Sequence, residues 1–99
     1  MFVNMRELVL DGKNWTARDD VYDSFFAAVG APSWHGRNFE ALHDSTVTGN
    51  INKIEVPYSV KIKNHRLIGP GARKTADDFV DLLKEFRDEG CPVDIQVEN

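Results

Sequence analysis

Two carboxylates, Glu40 and Asp44, stand four positions apart in the run Pro32 to Asp44, PSWHGRNFEALHD. On a helix each residue advances about 100°, which places Glu40, His43, Asp44 and Val47 in one arc and turns Phe39 and Leu42 the other way. Like charges at that spacing cost a helix roughly 0.2 to 0.5 kcal/mol. Glu40 has a simple explanation: an acid near a helix N-terminus interacts favourably with the macrodipole, and Asn38 suits the N-cap that opens the helix. Asp44 has none, because the positions three and four residues away hold Ala41, Glu40, Val47 and Thr48, with no cation among them. Beyond plain solvation, a carboxylate so placed can accept charge-assisted hydrogen bonds from a cationic partner.

The other groups able to do chemistry form a weaker pattern. His35, His43 and His65 lack metal-site spacing, and Cys91 sits at a helix–strand junction, where a small buried thiol is the usual occupant. General acid–base work by Glu40 and Asp44 is conceivable, yet no pocket or electrophilic partner accompanies them. The pattern reads as a binding protein and not an enzyme, with no catalytic residue, metal or cofactor. Trp34 is expected to be a partly buried loop residue that doubles as an interface hot spot, and Gly36 to supply an unusual backbone conformation. Trp15, ahead of a helical segment, is expected only to pack.

Composition narrows the setting. Ninety-nine residues, 41% hydrophobic and 10% aromatic, suffice for a single folded domain over 1–99. One cysteine leaves no internal disulfide framework and suits a reducing compartment. Arg6, Glu7 and Asp11 interrupt the first eleven residues and no apolar run approaches membrane-spanning length, so a cytoplasmic location without membrane association is expected. Net charge is −4, unevenly spread. From Asn50 to Thr75, Lys53, Lys61, Lys63, Arg66, Arg73 and Lys74 face Glu55 alone, while the rest of the chain holds six basic against fifteen acidic residues. The acidic body suits a basic protein partner and argues against nucleic acid as the main ligand. Lys61, Lys63, His65 and Arg66, with Tyr58 nearby, keep open a second reading in which the 61–74 surface contacts phosphates.

Several elements must position these groups. Glu7 to Asp11 reads as a short buried strand closed by Gly12. Ala17 to Val29 has helical spacing of Val21, Phe25 and Val29, with Tyr22 and Phe26 beside them, and stops at Gly30. A third element runs from about Phe39 to Thr48 and ends at Gly49-Asn50. Val56, Tyr58, Val60 and Ile62 then alternate with polar residues, and Pro57 with the lysines favours an edge position or a strand start. Asn64 to Lys74 reads as a loop around Gly69-Pro70-Gly71, without phosphate-cradle spacing. Thr75 with Asp78 resembles a capping box ahead of a stripe of Ala76, Phe79, Leu82, Leu83 and Phe86 that ends at Gly90. The outer face of that helix carries Asp77, Asp78, Asp81, Glu85, Asp88 and Glu89. Pro92 to Val97 is a last alternating strand. Strands separated by helices pair in parallel through crossovers, so the expected fold is α/β: a small three-stranded parallel sheet packed with three to four helices.

The run from Pro32 to Asp44, with Gly49 a turn later, resembles the core motif of the barstar family, small intracellular inhibitors of barnase-type guanyl-specific ribonucleases. Lys84 to Cys91 followed by the alternating strand is similar to the family's last helix and strand. The resemblance implies the same architecture and a protein, monomeric when free, that binds a basic ribonuclease of extracellular or toxin type and blocks its active site. It makes Asp44 the central plug, flanked by Glu40 and Glu85, with Trp34, Gly36, Asn38, His43 and the turn at Gly49 supplying further contacts. The chain departs from the family pattern at His35 and His43, which replace aromatics, at Ser45, which replaces cysteine, and at Asn50, which replaces another aromatic. These changes point to a nuclease other than barnase, such as a toxin for which the chain is the immunity protein. The alternative is a non-inhibitory adaptor or nucleic-acid-binding module working through the basic 61–74 surface.

Overall fold

Alternation along three short strands sets the sheet. The computed structural model describes residues 5–99, so residues 1–4 of the expected 1–99 domain lie outside the described residues. Strands β1 (Arg6–Asp11), β2 (Tyr58–Lys63) and β3 (Val93–Val97) are parallel and lie in the order β1-β2-β3. Their register puts Leu8 beside Val60 and Val60 beside Ile95, with Leu10 beside Ile62 and Tyr58 beside Val93. All of these side chains are buried. The alternate positions Glu7, Val9, Lys61 and Gln96 point to the other side, which is left open, with Val9 and Gln96 exposed. Parallel sheets are ordinarily covered on both faces; here helices cover one. The alternation fails at the end of β3, where Val97 is exposed.

Helix α1 (Arg18–Val29) buries Val21, Tyr22, Phe25, Phe26 and Val29, the stripe expected from spacing. The Asp20 carboxylate accepts the Thr16 and Ala17 N–H groups at 2.9 Å each, bonds that hold it below the usual carboxylate range. Gly30, at φ 68°, ends the helix in the left-handed conformation. Trp15 packs as expected, fully buried, and its indole donates to Ser24 Oγ at 2.6 Å.

Helix α3 (Pro70–Asp88) begins five residues before the expected capping box. Pro70 sits at the first helical position, where its fixed φ suits a helix and its missing N–H costs nothing. Gly69 N–H donates to the Trp15 carbonyl at 2.8 Å, and a Cβ on Gly71 would fall 2.5 Å from the Thr16 carbonyl oxygen. The glycines therefore let a helix start pass close to the chain before α1, and the segment from Pro70 onward is not loop. Thr75 and Asp78 lie inside the helix, where Asp78 instead pairs with Lys74 at 3.0 Å. Ala72 and Val80 join the expected stripe in the core, while Leu82 is only partly buried.

Of the two placements open for strand β2, the start after Pro57 holds and the edge does not. The strand starts at Tyr58, directly after Pro57, and it is the central strand, not an edge. Lysines are tolerated there because the sheet is open on one face, and Lys61 Nζ reaches Glu98 at 3.5 Å. At the centre of the core Phe25 meets Phe79 and Tyr58 edge-on, with ring centroids 5.3 and 6.2 Å apart.

Candidate partner-binding site

The short acidic helix forms where the sequence places it. Helix α2 (Phe39–His43) is capped by Asn38, whose Oδ1 accepts the Ala41 N–H at 2.8 Å. From Asp44 the helix widens into a π-helical turn, Asp44–Thr48, closed by Gly49 N–H donating to the Asp44 carbonyl at 2.9 Å. Gly49 itself has φ 78°, a conformation that favours glycine. Leu42 is fully buried, and Glu40, His43, Asp44 and Val47 are exposed together, as the 100° spacing requires. Phe39 is not turned fully inward: it is 47% exposed and lies beside Tyr22, centroids 6.4 Å apart. Asn38→Ala is expected to cost about 1 kcal/mol of stability, read as a lower urea midpoint at unchanged m-value.

Trp34 is not partly buried; it is 76% exposed, the most open large hydrophobic side chain among the described residues. Its loop is held by its neighbours instead. His35 packs on Phe26 with the ring planes tilted and centroids 4.5 Å apart, and its Nε2 is hydrogen-bonded to Ser45 Oγ on the π turn. Arg37 Nε donates to Asp23 on α1, and Arg18 donates to the Arg37 carbonyl at 2.8 Å. The Asp23 carboxylate raises the Arg37 guanidinium further above its ordinary value, so the one cation in the loop is already paired. Gly36 lacks the positive φ expected of it; what its missing Cβ provides is room, since a Cβ would press within 3.2 Å of the capping Asn38 amide.

Helix α3 brings Glu85 alongside α2. Phe86 stacks edge-on against His43, ring centroids 5.4 Å apart, and Phe39, Asp81, Leu82 and Glu85 line a shallow cleft between the two helices. The acidic stripe of α3 divides in two: Asp78 pairs with Lys74 and Asp88 with Arg87, and Asp77 lies 3.6 Å from His65 Nε2, whereas Asp81, Glu85 and Glu89 enter no ion pair among the described residues. Glu40 and Asp44 are equally unpaired. The site is thus a set of free carboxylates around α2.

Behind this face the packing is polar. Cys91 donates to the Thr46 carbonyl at 3.5 Å, and burial pushes its thiol up. Burial also pushes the Tyr58 hydroxyl up to about 12, opposed in part by the neighbouring Thr46 hydroxyl. Glu55 accepts the Asn50 and Asn52 N–H groups at 3.2 and 2.9 Å and so ties down the turn after Gly49. Sequence reading missed that role, although an acid three residues after Asn52 is the spacing of a local cap. Half of the six cations in the basic segment are engaged within the chain: Lys61 with Glu98, Lys74 with Asp78, and Arg73, which donates to the Ile68 carbonyl at 3.0 Å; Lys53, Lys63 and Arg66 enter no ion pair among the described residues.

A one-sided parallel sheet that carries a short helix of unpaired carboxylates defines a small α/β domain built to present an acidic face. A family model described as Barstar (barnase inhibitor) matches residues 5–98. The chain belongs to the barstar family. It is also similar to a protein of Bacillus subtilis (strain 168) described as "Putative ribonuclease inhibitor YrdF", with 26% identity over 85 residues, covering 86% of this chain and 89% of that protein. No helix among the described residues is long and apolar enough to cross a membrane.

Proposed function

We propose that this chain is a barstar-type inhibitor that binds a basic ribonuclease and covers its active site with the acidic face of α2. The observation that carries the reading is the set of exposed carboxylates, Glu40, Asp44 and Glu85, which pair with no cation among the described residues. A ribonuclease active site is cationic because it must hold phosphates. A carboxylate on a capped helix can stand in for the substrate phosphate and accept charge-assisted bonds from Arg, Lys or His. Asp44 is the central plug in this reading, and Glu40 and Glu85 flank it. Trp34, Val47 and His43 add contact area, while Asn38 and Gly36 shape the approach and Gly49 turns the chain away. The setting proposed is cytoplasmic protection against a secreted-type or toxin nuclease, with the inhibitor monomeric when free.

Binding RNA through the 61–74 surface is the weaker reading, since several of its cations are engaged within the chain. One pair of experiments separates the two. Titrating the protein into a panel of basic barnase-type ribonucleases should abolish RNA cleavage stoichiometrically for the cognate class, and loss of inhibition across the whole panel at micromolar protein would sink the inhibitor reading. For an inhibited enzyme, raising salt should slow association far more than it speeds dissociation. Direct RNA binding that weakens steeply with salt would favour the alternative.

A further inference from the structure

His35 and Ser45, from the loop and from the π turn, meet in space: His35 Nε2 is hydrogen-bonded to Ser45 Oγ across ten residues. Ser45 is buried in the π turn next to Asp44, and its carbonyl accepts the Asn52 side chain at 3.3 Å. A helical serine ordinarily bonds back to a carbonyl of its own helix; this one reaches out to the loop. His35 adjoins Trp34, the two rings 6.0 Å apart, and is wedged against Phe26 of α1. The other ties of the loop, Arg37 to Asp23 and Arg18 to the Arg37 carbonyl, are exposed, and exposed ion pairs contribute little. The partly buried His35–Ser45 bond is therefore the main link between the loop that carries the exposed tryptophan and the turn that carries the central carboxylate.

We propose that His35 and Ser45 are a positioning pair that fixes Trp34 relative to Asp44, and so sets which nuclease surface the acidic face accepts. The inference rests on the inhibitor reading for its functional half and on the free protein for its structural half. Neither residue needs to touch the partner. Because one side of the pair cannot hold the loop without the other, their removal is non-additive.

The test uses nuclear magnetic resonance on the free chain and on Ser45→Ala, His35→Phe and the double variant. His35→Phe keeps an aromatic ring on Phe26, so a folded variant is available even if Ser45→Ala is poorly tolerated. The residue-35 amide, bonded to the Pro32 carbonyl at 3.0 Å, should exchange about tenfold faster than in the parent in each single variant, and at that same rate in the double. The Trp34 indole should gain fast motion, while the Val60 amide at the centre of the sheet keeps its protection. No change at either His35 or Trp34, or effects that multiply in the double variant, overturns the pair. Against a barnase-type ribonuclease that the parent inhibits, both single variants and the double should weaken inhibition by the same factor, about three- to tenfold; equal potency of all four proteins overturns its part in recognition. Should Asp44→Ala leave inhibition intact, the inhibitor reading fails while the exchange rates still decide the pair.

Discussion

Asp44→Ala is expected to weaken ribonuclease binding by at least about 2 kcal/mol, roughly thirtyfold in Kd, without unfolding the protein. The first half follows from burying a cationic active site on the face: once the central carboxylate is gone, partner cations lose both solvent and counter-charge, and a buried charge left unpaired is strongly destabilising. The second half follows from what Asp44 does in the free chain. Its side chain is exposed and enters no ion pair among the described residues, its structural bond runs through the backbone carbonyl, and alanine is the better helix former. The substitution also relieves the like-charge spacing with Glu40. Asp88→Ala serves as the control, since it removes the same charge from a site already paired with Arg87 at 3.3 Å. Calorimetry with an inhibited nuclease should show a large loss for Asp44→Ala and little for the control. Less than threefold for Asp44→Ala, or equal losses for both, would reduce the face to a diffuse acidic field.

The largest stability effect is expected at Phe25, far from the acidic face. Its fully buried ring meets Phe26, Phe79 and Tyr58, with centroids 5.6, 5.3 and 6.2 Å away, so it joins α1 to α3 and to the central strand. Truncating a core phenylalanine to alanine costs about 3 to 5 kcal/mol, against a total of about 5 to 15 kcal/mol for a domain of this size. Phe25→Ala should therefore unfold at a much lower urea midpoint, or fail to fold at 37 °C. A loss under about 1 kcal/mol would mean that the sheet and helices are held by some other cluster.

Most of the fold was legible because its signals are local. The spacing of Val21, Phe25 and Val29, the stripe through Phe79 and Phe86, and the alternation of Tyr58, Val60 and Ile62 each record burial on one face, and each reappears in the core. Local signals failed where the meaning depended on a distant neighbour. Gly69-Pro70-Gly71 looks like a break in isolation and becomes a helix start only because the chain at Trp15 and Thr16 passes against it. Lys61 suggests an edge until the sheet is known to be covered on one side alone. In the acidic face, Asn38 capping and the arc of Glu40 and Asp44 were readable from helical geometry. The His35–Ser45 and Arg37–Asp23 contacts span ten and fourteen residues and obey no period, so nothing in the sequence announced that the loop around Trp34 is fastened from behind while the tryptophan stands free.

The π turn at Asp44–Thr48 gives the face an unequal capacity for change. An α-helical turn is closed by a bond four residues long, and here the closing bond spans five, from Gly49 to Asp44. Chain length can vary after the buried Ser45 and Thr46 without rotating the helix before them: Asn38, Glu40 and Asp44 keep their bearing because their phase is counted from the cap, and the change falls on Val47 to Gly49 and the turn that follows. The molecule is in effect hinged in sequence space, with a constant anionic half and an adjustable rim. If the proposed inhibitor reading holds, such a face can follow a nuclease whose periphery drifts while the phosphate-binding centre, constrained by its own chemistry, stays where it is.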